Sequence, residues 1–381
     1  MTHSVQDTAL PPGWSHYRFT DVLIDGAISY GIVQPGAHTE RNSVPVLRVN
    51  NVRNGQIDTR DVLRVAADVE AQYVRTRLVG GELLVTVVGT VGECAIVPVT
   101  LKGWNVARAI SVARIKPEFD TRFIKYCFKL DDVVFQMYGN TNDTVQPTLN
   151  LGQLKNLVFS IPSPDEQRAI SDVLGSLDNK IDLLRRQNQC LEAMAEALFR
   201  QWFEGDEAAS WPEGVVEDLL VLQRGYDLPL QDRREGPYPI ISSSGVSGWH
   251  DEHKVAAPGV STGRSGLIGN VFLVQEDFWP LNTSLYVKEF KLATPLFAYF
   301  TLKTLDLPAF NAGSAVPTLN RNHVHAQATL LPPRDLIERF EATCWPMFKK
   351  IKHNEDQAAQ LTSLRDTLLP KLMSGEVRVA C

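Results

Sequence analysis

Asp277 and Glu289, with Lys291 two residues on, have the loose form of a metal-nuclease centre: paired carboxylates for a divalent cation and a lysine for developing charge. The pattern is short, and the strand that duplicates this one reads Arg114-Ile115-Lys116, with no acid at the matching place. Trp249-His250-Asp251-Glu252-His253 and His323-Val324-His325 offer metal ligands, but neither is joined by a Cys or His cluster at zinc-site spacing. A polar loop is the better reading of both. Gly89-Thr90-Val91-Gly92 and Gly263-Arg264-Ser265-Gly266 lack the Gly-Lys-Ser/Thr ending of a phosphate loop, and no Asn-Pro-Pro-aromatic sequence marks an amino-methyltransferase. No catalytic group and no metal ligand set is assigned to this chain.

The elements that would position any site are legible as a tandem duplication. Pro147-Thr148-Leu149-Asn150 returns 170 residues later as Pro317-Thr318-Leu319-Asn320. The same offset carries a ladder from Ile170, Leu174, Leu177, Ile181, Leu184, Asn188, Leu191, Ala195, Leu198 and Trp202 onto Phe340, Cys344, Met347, Ile351, Asn354, Ala358, Leu361, Arg365, Leu368 and Leu372. Alternating steps of four and three are the seam of a coiled-coil helix. One inserted residue would rotate everything beyond it by about 100°, so a register kept without insertion suggests helices that set a distance. From Ile170 to Trp202 the rise is roughly 48 Å at 1.5 Å per residue. Prolines followed by Asp165 and Asp335 announce the two helices, with the Asp expected at the N-cap. Gly205 and Gly375 are expected just past their ends, and Pro346 is expected to bend the second helix or delay its start.

Ahead of each helix lies a corresponding α/β segment. Gly80–Gly92 reads as strand, glycine turn and strand, and Ala257–Val274 reads likewise. Trp104–Ile115 matches Trp279–Phe290, and an apolar helix around Phe123–Phe128 matches Leu296–Leu302. The expected boundaries are a first globular domain over 1–164, a spacer helix over 165–205, a second domain over 206–334 and a C-terminal spacer helix over 335–375.

At 381 residues the chain has room for two compact units. No apolar run approaches the roughly 20 residues of a membrane span, and the N-terminus lacks a signal-peptide layout. The five cysteines are scattered and odd in number, which disfavours a disulfide scaffold and points to a reducing cytoplasm. A net charge of −6 argues against a nucleic-acid partner only if charge is spread evenly. It is not: Arg41, Arg48, Arg53, Arg60, Arg64, Arg75 and Arg77 cluster in the first head, while Glu192, Glu196, Glu204, Asp206 and Glu207 lie on or beside the first helix. Basic heads on acidic spacers suit local DNA binding; ordinary solvated surface is the alternative.

The segment Ile161-Pro162-Ser163-Pro164-Asp165-Glu166-Gln167-Arg168-Ala169-Ile170, continuing through Leu177-Asp178-Asn179-Lys180-Ile181 to Phe199-Arg200-Gln201-Trp202-Phe203, resembles the central repeat of the specificity subunits of type I restriction-modification systems. The two-fold repeat and the Gly-Thr-Val-Gly turn extend the resemblance over essentially the whole chain. It implies an α/β (α+β) fold class, with two globular target-recognition domains separated by two long antiparallel coiled-coil helices in a pseudo-two-fold repeat. It also implies a non-catalytic subunit whose domains each read one half of a bipartite double-stranded DNA site. Two modification (methyltransferase) subunits would dock on it, joined by restriction/translocase subunits, and S-adenosylmethionine, ATP and Mg would belong to those partners. The roughly 48 Å helix would correspond to about 14 base pairs.

Base edges are read by side chains that form paired hydrogen bonds, and phosphates by basic groups and free amides in turns. The candidates in the first head are Arg48, Asn50, Asn51, Arg53, Thr90, Arg108 and the loop Asn140, Thr141, Asn142, Thr144 and Gln146. In the second they are Ser242, Ser243, Ser244, Lys254, Arg264, Asn282, Thr283 and Ser314. For any of these a turn-forming or solvated role is the alternative. Phe199, Trp202 and Phe203 are expected to help dock the modification subunit, with side stripes such as Val173, Leu183 and Met194 also available. The competing functions are a metal-dependent nuclease using Asp277, Glu289 and Lys291, and a structural adaptor that does not read DNA.

Overall fold

A computed structural model of the chain describes residues 10–139, 148–313 and 316–379. The chain divides into two compact units, Met1–Ile181 with Gln360–Cys381, and Asp182–Ala359. Each unit therefore holds a head and part of each long helix.

In the first unit the strands are β1 (Ser15–Arg18), β2 (Leu23–Tyr30), β3 (Ser43–Leu47), β4 (Val52–Arg53), β5 (Gln56–Ile57), β6 (Leu63–Ala66), β7 (Leu83–Thr86), β8 (Cys94–Ile96), β9 (Asn105–Val106), β10 (Ile110–Ile115) and β11 (Val158–Ile161). They form sheets of order β2-β10-β7-β8, β6-β3-β9, β1-β11 and β4-β5. Both central strands, β7 and β10, are apolar on both faces because both are covered. Leu83, Val85 and Ala113 join a core with Phe19, Phe123 and Phe159. Leu84, Ile110 and Val112 point the other way, into a core with Leu47 and Val97.

The second unit repeats the plan with β12 (Glu213–Val215), β13 (Leu220–Arg224), β14 (Tyr238–Ser242), β15 (Gly245–His250), β16 (Gly259–Gly263), β17 (Val271–Val274), β18 (Trp279–Pro280), β19 (Ser284–Phe290) and β20 (Ala328–Leu330). Its sheets run β13-β19-β16-β17, β15-β14-β18 and β12-β20. Leu285 and Val287 of β19 face the core that includes the helix Pro295–Thr304. Tyr286 between them faces Ile241 and Phe278. The strand period of two thus feeds two cores in each unit.

The central helix spans Pro164–Phe203 and the C-terminal helix Arg334–Met373, both 40 residues and offset by 170 at either end. Every ladder position of both helices is buried or half-buried. Each head's core runs onto the helices of its own unit: Ile170, Leu174, Leu369 and Leu372 in the first, Ala195, Phe199, Phe340 and Cys344 in the second. In the second unit the seam asparagines bond to each other, Asn354 Nδ2 donating to Asn188 Oδ1 at 2.8 Å, while Asn188 Nδ2 donates to the Ile351 carbonyl at 3.2 Å. In the first unit Arg365 donates to Asp178 Oδ1 at 2.9 Å, and Tyr126 donates to Asp178 Oδ2 at 2.7 Å.

Two details of the helix ends differ from the expectations. Asp165 and Asp335 sit inside the first turn, and Ser163 precedes Pro164 at the first helical position, where proline loses nothing by lacking an N–H. Gly375 takes the left-handed capping conformation (φ +74°), but Gly205 is extended (φ −80°) and leads into a turn of 3-10 helix. Pro346 does not delay the C-terminal helix, which begins at Arg334 and runs through it.

Candidate nucleic-acid interface

The duplicated Thr-Leu-Asn has a structural job that explains its retention. Thr148 bridges Val88, Leu149 is buried, and Asn150 caps the helix Leu151–Lys155 by accepting from Gln153 N at 2.9 Å. Thr318 bridges Ser265, Leu319 is buried, and Asn320 caps Arg321–His325 by accepting from Asn322 N at 3.0 Å.

Around this motif each unit lays the same main-chain bonds. In the first, Ala107 N donates to Leu47 O (2.8 Å), Val87 N to Ala109 O (2.9 Å) and Leu149 N to Val87 O (2.9 Å). In the second, Leu281 N donates to Ile241 O (2.8 Å), Arg264 N to Thr283 O (2.8 Å) and Leu319 N to Arg264 O (2.7 Å). These bonds tie three loops into one edge in each unit: the turn after β3 or β14, the turn after β9 or β18, and the glycine turn after β7 or β16. The pairs Leu47/Ile241, Ala107/Leu281, Val87/Arg264 and Leu149/Leu319 are separated by 194, 174, 177 and 170 residues. Insertions and deletions therefore fall between the loops. The register also moves one sequence match by a residue: Asn105, rather than Trp104, stands where Trp279 does, since Val46 pairs with Asn105 and Ile240 with Trp279.

Gly31 and Gly225 hold this edge together, and the sequence alone did not mark them. A Cβ on Gly31 would lie 2.0 Å from the Val106 carbonyl oxygen, and one on Gly225 would lie 2.2 Å from that of Leu281. The residue after each, Ile32 or Tyr226, bonds Val106 O or Pro280 O at 2.8 Å. Only a residue without a side chain admits that approach.

The first unit's candidates fall on this edge or beside it. Arg108 and Thr90 are exposed in their turns. Arg53 is exposed on the β4–β5 hairpin, whose Asn54 N donates to Glu93 just beyond the glycine turn, at 2.9 Å. Asn50 is also exposed, whereas Asn51 is buried and consumed in a turn, accepting from Arg48 N and donating to the carbonyls of Asp58 and Asp61. Asn140, Thr141, Asn142, Thr144 and Gln146 lie outside the described residues.

Much of the arginine cluster is neutralised locally. Arg48 pairs with Asp61 at 2.9 Å, Arg60 with Asp58 at 2.6 Å, Arg64 with Glu40 at 3.2 Å and Arg77 with Glu70 at 2.5 Å. Hydrogen bonds from Arg60 pull the Asp58 carboxyl down to about 2. Arg41, Arg53 and Arg75 have no carboxylate partner among the described residues.

In the second unit Ser242, Ser243 and Ser244 form the β14–β15 turn, with Ser242 Oγ donating to Gly245 O at 2.9 Å. Ser243 touches the glycine turn, its Oγ 3.8 Å from where a Cβ on Gly266 would be. Arg264 donates to the Asn282 carbonyl at 3.3 Å, Asn282 donates to Asp227, and Thr283 is half-buried. Lys254 stands to one side, its Nζ 4.5 Å above the Trp279 ring. Ser314 lies outside the described residues.

Other expected sites separate. Phe199 and Phe203 are core residues of the second unit, with ring centroids 5.1 Å apart and each within 5.7 Å of Phe297 and Phe340. Their surfaces are used up inside the unit, so docking by these side chains gives way to a packing role. Trp202 is half-buried against Phe340, with Arg339 5.7 Å from its ring centroid. On the two long helices the exposed large apolar residues are instead Leu183 and Met194 in the second unit and Leu364 in the first.

The nuclease pattern does not converge. Asp277 accepts from Ala257 N at 2.8 Å, while Glu289 and Lys291 sit at the far end of β19 beside Val221 and Leu219. Among the described residues no group of three His, Cys, Asp or Glu side chains is arranged to hold a metal. His325 accepts from Leu222 N at 2.8 Å, and burial lowers its pKa below 6.5. The described cysteines are free, with only Cys190 exposed, and no described helix is long and apolar enough to cross a membrane.

The fold defines a duplicated α/β protein of two units, each a head joined to parts of both long helices. Residues 14–193 match the family model for the type I restriction modification DNA specificity domain. The chain is 27% identical over 210 residues to the EcoBI type I specificity subunit of Escherichia coli, covering 53% of this chain and 44% of that protein, under half its length. It is 24% identical over 300 residues to the MjaIX specificity subunit of Methanocaldococcus jannaschii, covering 68% and 69%. The solved S subunit of a type I restriction-modification system from M. genitalium shares the fold, with a TM-score of 0.61 at 16% identity over 96% of this chain and 97% of that one. Residues 14–193 therefore carry the likeness to a type I DNA specificity domain, and the chain is similar to type I specificity subunits.

Proposed function

We propose that this chain is the non-catalytic, sequence-reading subunit of a type I restriction-modification complex, each unit reading one half of a bipartite DNA site. The observation that carries this is the edge built twice from the same main-chain bonds and furnished with different side chains. A duplicated scaffold with divergent edges suits two readings of two different sequences. Helices of equal length that keep their offset without insertion support a constant gap between the halves. Leu183, Met194 and Leu364 are the apolar surface offered to two methyltransferase subunits. S-adenosylmethionine, ATP and Mg are assigned to those subunits and to restriction/translocase subunits.

Within the first unit, Arg53 and Arg108 are the strongest contacts, being exposed and without a side-chain partner among the described residues. Arg108→Ala or Arg53→Ala is expected to weaken DNA binding by about 1–3 kcal/mol and relax specificity at one position if the side chain reads a base. If it grips a phosphate, affinity falls for every sequence and the salt slope drops by about 1. Salt-titrated binding to specific and nonspecific duplexes separates the two.

The test of the whole reading is to co-express the full chain with its methyltransferase subunits and map the modified positions in exposed DNA. Two fixed half-sequences with a constant unspecified gap are expected. Modification without sequence preference would leave only a structural adaptor, and metal-dependent cleavage by the chain alone, lost on Glu289→Ala, would leave the nuclease.

A further inference from the structure

The second unit's edge differs from the first in one respect that its polar candidates do not explain. Leu267 and Val316 are 56% and 54% exposed. Leu267 follows Gly266 in the glycine turn, at the place Thr90 holds in the first unit, because Val88 and Ser265 make equivalent bridges. Val316 lies on the segment that closes against that turn, where Gly266 N donates to Pro317 O at 3.0 Å and Ser265 bridges Thr318. The polar groups beside them, Arg264, Asn282 and Ser242, are held by bonds within the unit. At the glycine turn the first unit thus exposes the hydroxyl-bearing Thr90, where the second exposes Leu267, with Val316 alongside, next to the Ser243 turn.

Resting on the proposed DNA-reading function, we infer that Leu267 and Val316 recognise the 5-methyl group of a thymine in the major groove, making the second unit's half-site thymine-dependent. The thymine methyl is the one apolar group on a base edge in that groove, and aliphatic side chains are its natural partners. Exposed aliphatic residues on an otherwise polar edge gain nothing from phosphates or from the amino and carbonyl groups of the other bases. Burying one methyl-sized group is worth about a fourfold change in affinity, enough to discriminate a position without any hydrogen bond.

The test uses the full chain co-expressed with its methyltransferase subunits. Duplexes are selected from a randomised library, and each thymine in both half-sites is then replaced in turn by deoxyuridine, which keeps every hydrogen bond and removes only the methyl. One or two positions of a single half-site should lose about fourfold in affinity per methyl. In Leu267→Ala and Val316→Ala complexes thymine and deoxyuridine should bind alike there, while the other half-site is unaffected. The inference is overturned if deoxyuridine is tolerated everywhere, if methyl sensitivity persists in both variants, or if the variants lose only methyltransferase co-purification. A wild-type complex that selects no sequence would instead refute the DNA-reading function itself.

Discussion

The two heads share their main-chain bonds and differ in almost every side chain on the edge those bonds build. What is common is what geometry cannot do without. Gly31 and Gly225 admit a neighbouring strand, Leu149 and Leu319 seal the core, and Asn150 and Asn320 start a helix. What differs is what chemistry would vary: Arg108 against Asn282, Thr90 against Leu267, Arg48 against Ser242. A fold that separates these two sets can change the chemistry of its edge without changing its shape.

The largest expected effect tests where a unit ends. If the second head's core truly includes the central helix, Phe199→Ala should remove a fully packed ring and cost about 3–5 kcal/mol. Met194→Ala, exposed on the same helix, should stay within about 0.5 kcal/mol yet weaken methyltransferase co-purification. Denaturant unfolding followed by pull-down reads both; equal stability of the two variants would place Phe199 outside the core. Next come the paired glycines. Gly31→Ala and Gly225→Ala should each cost roughly 3 kcal/mol, because the new methyl meets a carbonyl oxygen held by strand pairing. Hydrogen exchange should show the loss confined to the substituted unit, and protection lost in both units would deny that the heads fold on separate cores.

The helices were legible because a seam of period three and four must be kept wherever two helices pack, and their 170-residue offset is reproduced at both ends. Asn188 and Asn354 fall on the seam that the ladder defines, and they bond. The heads were legible as strand-turn-strand patterns but not as aligned edges, since loop insertions shift the offset from 194 to 170 within one unit. Phe199 and Phe203 misled because an apolar helix face reads the same whether it meets its own head or another protein. The arginine cluster misled because composition does not reveal that Asp58, Asp61, Glu40 and Glu70 lie opposite four of its members. Leu267 and Val316 escaped because nothing local distinguishes an exposed aliphatic residue from a buried one.

The smallest effect separates the units by acid. In the second unit His325 accepts a main-chain N–H, and burial, with Arg321 and Lys291 nearby, lowers its pKa from 6.5 despite the opposing pull of Glu217. Below pH 6.5 the unfolded chain takes up a proton that the folded unit refuses, so stability falls as pH drops through the lowered value. In the first unit burial alone would raise the Asp178 pKa, but hydrogen bonds from Tyr126 and Arg365 outweigh it and hold the carboxyl below 3.8. Its contribution is complete above pH 3.8 and is lost only as pH falls further. Glu341 and Glu355 in the second unit, raised chiefly by burial, act against His325 because protonating them favours the folded state. The informative quantity is therefore the difference between the wild type and His325→Gln, whose amide oxygen accepts the same bond without titrating. Unit-resolved hydrogen exchange between pH 7 and pH 5 should show the wild type losing stability relative to the variant in the second unit alone. A difference that is flat with pH would mean that His325 does not sense acid through the Leu222 bond.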